Sequence, residues 1–220
     1  MYSQVFETPV PDGSSIMRKY EYAPHPFVLT PPLDGRSQYT KDQEISLDLV
    51  LIGRAINWLA YFICTLEELG RRGVGGARCR YRIERVESSS NPFDDFATQV
   101  RTVYDGACRR VVGLPFTIAG REMEQSGTSP RQVTIRFVTP ARIIAEEHLA
   151  SALSFATLFR SLLRRLALLA YFHCGQAADA TDLRDLIKRA ASVKVSSSKL
   201  RWRDWERYST RQKARMKLGG

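Results

Sequence analysis

Holding a phosphate takes fixed cations and backbone amides that a ligand can approach closely, and the stretch Leu69 to Val86, LGRRGVGGARCRYRIERV, supplies both in close succession. Gly73, Gly75 and Gly76 can take positive φ and leave the main chain open, the arrangement in which N–H groups cup an anion. Arg71 and Arg72 precede the glycines, and Arg78, Arg80 and Arg82 follow them on alternate positions. Successive side chains of a strand point to opposite faces. A strand over Arg78 to Val86 would therefore carry the three arginines as a basic comb, with Cys79, Tyr81 and Ile83 turned to the core. The chemistry implied is polyanion binding, with RNA the first partner to consider. The plainer reading is a surface strand with solvated arginines after an ordinary helix cap.

A second basic segment closes the chain. Lys199, Arg201, Arg203, Arg207, Arg211, Lys213, Arg215 and Lys217 face only Asp204 and Glu206 as local counter-charge, with Trp202, Trp205 and Tyr208 interleaved. Arginine forks onto phosphate, and an aromatic ring stacks on an unpaired base for about 1–3 kcal/mol. Trp202 and Tyr208 join the basic residues as candidate RNA contacts. The tryptophans could instead be core anchors, since large rings bury well.

Acid–base and metal chemistry have thinner support. His25 lies between Pro24 and Pro26, His148 near an expected helix start, and His173 at the C-terminal end of a long expected helix, where the dipole favours an imidazole. His173 and His25 are the weak catalytic candidates, and no catalytic residue is assigned. Asp179, Asp182 and Asp185 sit in or before the first turns of a helix, where carboxylates belong, so no metal site is expected. No cofactor motif is present: neither H-E-x-x-H, nor a P-loop, nor a Ser/His/Asp signature.

Composition narrows the class. The 220 residues can bury roughly 70% of the surface of the unfolded chain, enough for one large or two small domains. The net charge of +10 is localised: residues 1–150 carry 18 basic and 18 acidic residues, and residues 151–220 carry 15 and 5. Such a one-sided field attracts polyanions. Cys64, Cys79, Cys108 and Cys174 contain no C-x-x-C pair, which suggests neither a zinc ribbon nor a disulfide framework and fits reduced thiols in a cytoplasmic protein. No signal peptide or membrane span is read, because charges such as Arg160, Arg164 and Arg165 interrupt the apolar runs.

The elements that must carry these residues follow from periodicity. Residues 1–43 are rich in proline and turn residues, with a short extended piece at Phe27 to Thr30. Glu44 to Ile52 alternates as a strand, with Ile45, Leu47, Leu49 and Leu51 inward. Ile56, Leu59, Ile63, Leu66 and Leu69 recur at helical spacing, and Gly70 is the expected helix stop. Gln99 to Tyr104 and Arg109 to Val112 suggest a hairpin, and Gln132 to Thr139 a strong strand. Helices follow over Ser154 to His173, stopped by Gly175, and Thr181 to Ala191, after which Val193 to Trp202 reads as extended. The fold class is α+β. The order of elements is that of two incomplete βαββαβ ferredoxin-like (RRM-like) units. The first, 1–128, lacks its opening strand and helix and has a proline-rich entry and an inserted hairpin; the second, 129–220, is truncated at its C-terminus.

Four phrases in fixed order, ELGRRGVGGARCRYRIERV, VTIRFVTPARI, FRSLLRRLALLAYFHCG and LRWRDWERYSTRQKARMKLGG, resemble the CRISPR pre-crRNA processing endoribonucleases of the RAMP superfamily. The resemblance covers the chain from about Phe6 onward. It implies tandem ferredoxin-like domains, binding of CRISPR repeat RNA in antiviral defence, and metal-independent cleavage by attack of a ribose 2′-OH on the adjacent phosphate, leaving 2′,3′-cyclic ends. That chemistry needs a general base, a general acid and cationic stabilisation of the phosphorane. The family's usual histidine lies on a first helix that this chain is expected to start after. The family's glycine-rich loop lies near its C-terminus, and related sequences are expected to continue past Gly219 and Gly220 into another strand, so the chain reads as a fragment to which no catalytic histidine is carried over. A second reading is a non-catalytic RAMP-type subunit that binds crRNA beside other CRISPR effector subunits. A third is a general nucleic-acid-binding protein.

Overall fold

A computed structural model of the chain describes residues 5–10, 21–36, 38–91, 99–123, 130–145, 148–150, 153–176, 180–209 and 214–219. Among these, three α-helices and nine short strands make an α+β protein whose sheets are small and antiparallel, paired β1–β2, β3–β4–β5, β6–β7 and β8–β9. The chain divides into two compact units, one formed by Met1–Ile56 together with Ile135–Gly220, the other by Asn57–Thr134. This partition is discontinuous, unlike the sequential division at residue 128, because side chains near residue 170 hold the backbone near residue 25.

In the unit Asn57–Thr134, α1 (Leu59–Arg72) buries Phe62, Ile63 and Gly70. The helix runs past Gly70, the expected stop, and ends at Gly73, whose φ is 86° and whose N–H bonds Leu69 O at 2.8 Å. Gly70 serves a different purpose. Tyr81 lies across it, donating its N–H to Gly70 O (3.2 Å) and its hydroxyl to Leu66 O (2.8 Å), and a Cβ on Gly70 would fall 2.4 Å from Tyr81 O. The strand expected over Arg78–Val86 is replaced by a tight turn and an irregular run, because Arg78 takes φ 48° and β3 (Arg85–Ser89) begins only where β4 (Val100–Asp105) offers a partner. The hairpin of β4 and β5 (Arg110–Val111) is as expected, pairing Tyr104 with Val111. Val103 and Tyr104, 1% and 3% exposed, anchor the sheet in the core.

In the other unit, β1 (Phe27–Thr30) pairs with β2 (Asp48–Leu51), Phe27 opposite Leu51 and Thr30 opposite Asp48. Pro26 and Pro31 bracket β1 and supply no N–H, so the ladder stops after four residues and Ile45 and Leu47, expected to point inward, stay exposed. Two-residue strands β6 (Ile144–Ala145) and β7 (His148–Leu149) form a minimal hairpin, placing His148 on a strand rather than near a helix start. Helix α2 (Phe155–His173) starts where Ser154 Oγ accepts the Thr157 N–H, buries Leu158, Leu169 and His173, and stops before Gly175 at φ 69°, as its spacing predicts. Leu162, expected on its apolar side, is exposed. Helix α3 (Ala180–Ala190) follows and buries Ala190.

Gln132–Thr139 makes no ladder: its alternating Val133 and Ile135 are exposed, and the boundary between the units falls at Thr134 and Ile135. A strand needs a partner edge as well as β propensity. Val193–Trp202 likewise forms no strand, and the pairing comes later, between β8 (Asp204–Ser209) and β9 (Ala214–Gly219).

Candidate nucleic-acid interface

The basic turn is built by the C-terminal end of α1. Arg71 and Arg72 occupy its last turn, and Glu68, three and four residues earlier, takes both: Arg71 Nε and Nη2 reach its oxygens at 2.7 Å and Arg72 Nε at 2.6 Å. Hydrogen bonds from Arg71 first, and then Arg72, hold the Glu68 carboxyl down to about 2. Beyond Gly73, Val74 and Cys79 exchange backbone bonds of 2.9 Å, and the Arg78 N–H closes the turn onto Gly75 O at 3.2 Å. Gly75 at φ 72° and Arg78 at φ 48° give it the left-handed bends, while the Gly76 and Ala77 amides at its tip make no hydrogen bond among the described residues.

The five arginines of this region are therefore not equivalent. Arg71 and Arg72 are committed to Glu68, and Arg82 pairs with Glu84 at 2.7 Å. Arg78 and Arg80 are exposed and carry no ion pair among the described residues. With Arg78 in the turn, the three alternate arginines do not share a strand face, and the comb is corrected to a loop with two uncommitted guanidinium groups beside two open amides. An anion would meet charge and N–H donors there together.

In the same unit the buried Tyr104 hydroxyl donates to Glu67, which also meets Arg109 at 3.5 Å. The Glu67 hydrogen bond, and burial after it, push the phenol up. This polar anchor was missed in the sequence, although α1 and the β4–β5 hairpin that supply it were each legible.

The second basic segment lies in the other unit. Lys199, Arg201 and Arg203 are exposed in the irregular approach to β8. Trp202 is 51% exposed with its indole N–H on Asp204 Oδ1 at 2.8 Å, so it is a surface ring and not a core anchor. Arg207 and Tyr208 lie on β8 and Arg215 and Lys217 on β9, in a register that sets Tyr208 opposite Arg215 and Glu206 opposite Lys217. Arg211 and Lys213 lie outside the described residues.

Both candidate histidines lie in this unit, and His173 is bonded to the backbone next to His25. His173, 4% exposed, donates from Nε2 to Pro24 O at 2.8 Å, and its buried Nδ1 has no partner among the described residues. Arg165 Nη2 donates to His25 O at 2.9 Å, and Arg54 Nη2 to Thr8 Oγ1 at 3.1 Å. The exposed His25 ring stacks on Phe27 (5.7 Å between centroids) and meets the edge of Phe6 (5.4 Å). Burial chiefly lowers the His173 pKa; the Pro24 carbonyl opposes this, and Arg54, Arg165 and His25 add to the lowering. Sequence spacing pointed to neither arginine. No three His, Cys, Asp or Glu side chains gather as a metal site among the described residues, and no described helix is long and apolar enough to cross a membrane.

A protein-family model, AF_1859_N, described as an N-terminal domain, matches residues 1–113. No curated protein and no solved structure matches the chain.

Proposed function

The chain belongs to the AF_1859_N family of N-terminal domains through its first 113 residues, and from its basic segments, not from that membership, we propose that it is an RNA-binding protein of the RAMP type that engages CRISPR repeat RNA. The observation carrying this reading is the turn Gly73–Arg82, where among the described residues Arg78 and Arg80 carry no ion pair and the Gly76 and Ala77 amides make no hydrogen bond. The exposed Trp202 among Lys199, Arg201 and Arg203 supports it with a ring free to stack on a base. Phosphate contacts supply affinity, and the stacked ring favours unpaired strands. The ferredoxin-like βαββαβ plan for both halves goes with this reading on element order alone, since β2 pairs with β1 and stands in a different sheet from β3, β4 and β5.

As an endoribonuclease of that class the protein would cleave without metal: a 2′-oxygen attacks the adjacent phosphorus, the 5′-oxygen leaves, and a cyclic phosphate remains. Incubation with cognate repeat RNA in EDTA tests both parts. Binding at low salt and cleavage that persists in EDTA are the expected results. Absence of binding overturns the RNA role, and cleavage only with added metal overturns the mechanism. The buried, carbonyl-bound imidazole of His173 favours a second reading, a RAMP-type subunit that binds crRNA without cutting it. Tight binding with no cleavage would select it.

A further inference from the structure

Two arginines and a histidine are held about one stretch of backbone: Arg54 donates to Thr8 Oγ1, whose residue takes the Ala23 N–H on its carbonyl, and Arg165 donates to the carbonyl of His25. Arg54 follows Gly53, whose α-carbon faces the His173 carbonyl; Arg165 holds the His25 carbonyl; and the His25 ring stands exposed on Phe27. Neither Arg54 nor Arg165 forms an ion pair among the described residues, each spends a single N–H on a neutral oxygen, and both side chains are exposed. Arg54, Arg165 and His25 all oppose protonation of His173, after burial. Like charges gathered without counter-charge repel one another, and an anion relieves that repulsion. The buried Nδ1 of His173 is an acceptor with no donor among the described residues, and a hydroxyl brought by a ligand would satisfy it.

We propose that Arg54, Arg165 and His25 form a binding site for a phosphoryl group, separate from the basic turn and lying in the other unit. The guanidinium groups provide forked donors, which suit the tetrahedral oxygens of phosphate better than a point charge does. His173 contributes by staying neutral: its Nε2–H is committed to Pro24, which fixes the tautomer and leaves the Nδ1 lone pair for a hydroxyl accompanying the anion. A phosphate monoester in its singly protonated form and an RNA phosphodiester beside its ribose hydroxyl share this chemistry. Arg165 and His173 are also positioning residues, since each holds one carbonyl of the Pro24–His25 segment.

The test is titration of the full chain with inorganic phosphate against chloride at matched ionic strength, read by histidine side-chain NMR signals and by melting temperature. Phosphate is expected to shift the His25 and His173 signals, and Arg54→Gln and Arg165→Gln are each expected to weaken its binding about tenfold, while Lys188→Gln, on α3, leaves it unchanged. Arg165→Lys keeps the charge but loses the fork and should fall between. Unmoved histidine signals, or equal affinity in wild type and both Gln variants, overturn the site. Repeat RNA is then added to the phosphate-loaded protein: displacement of phosphate identifies a phosphodiester as the natural occupant, and its retention identifies a free phosphate or monoester. Because the basic turn is not altered in these variants, loss of this site and loss of the RNA reading give different results.

Discussion

The α-carbon of Gly53 faces the main-chain carbonyl of His173 so closely that a Cβ there would lie 2.0 Å from the oxygen. Gly53 also takes φ 56°, so two independent requirements exclude any other residue. Gly53→Ala is expected to destabilise the protein by ~3 kcal/mol through left-handed strain and forced separation from the end of α2. Chemical denaturation followed by far-UV circular dichroism would show the lowered midpoint, and an unchanged midpoint would refute the close approach.

His173 sets an acid limit on stability. Burial lowers its folded pKa below the ordinary 6.5, so the unfolded chain binds more protons there as the pH drops. Stability is full above the ordinary value and is lost progressively as the pH falls through it toward the lower folded value. His173→Gln, which keeps a donor for Pro24 O, is expected to flatten that limb of a stability–pH profile measured by urea unfolding. A variant as acid-sensitive as wild type would count against a buried neutral imidazole.

Glu68 acts as a brake on the basic turn. Its carboxylate engages Arg71 and Arg72, and Glu68→Gln is expected to release both, tightening RNA binding and steepening its dependence on log salt by up to about 2. The carboxyl is held to about 2 from an ordinary 4.5, so the pairing's stabilisation is present above 4.5 and is lost as the pH falls through about 2. Filter binding across a salt series reads the first effect. No change in slope would mean that RNA already displaces the glutamate.

Arg78 and Arg80 should behave alike and additively. Each change to Gln is expected to reduce the salt slope by about 1 and weaken RNA binding evenly across sequences, as phosphate contacts do. A sequence-selective loss would instead assign them to base edges.

Local signals in the sequence were reliable where a single element decides its own boundary. The Gly175 stop ends α2, the prolines around Phe27–Thr30 bracket β1, and the β4–β5 hairpin follows its β-rich pieces. Elements that depend on a partner were not legible: QVTIRFVT alternates as a strand yet finds no ladder, and Arg78–Val86 yields to a turn closed by Val74 and Cys79. Gly70 was misread because a glycine that stops a helix and one that admits a tyrosine look alike in sequence. The Glu68 pairing was readable from i, i+3 and i, i+4 spacing. The hold of Arg165 and His173 on the Pro24–His25 backbone was not, since it joins residues 140 and 149 apart.

The discontinuous unit imposes an order on synthesis. Residues 57–134 can close their contacts as soon as they leave the ribosome, whereas Pro24 and His25 must wait for Arg165 and His173 to be translated before their carbonyls are taken. Until then those carbonyls lack the donors that hold them in the finished fold, so a change near Pro24 acts on the last step of assembly and leaves residues 57–134 to close as before.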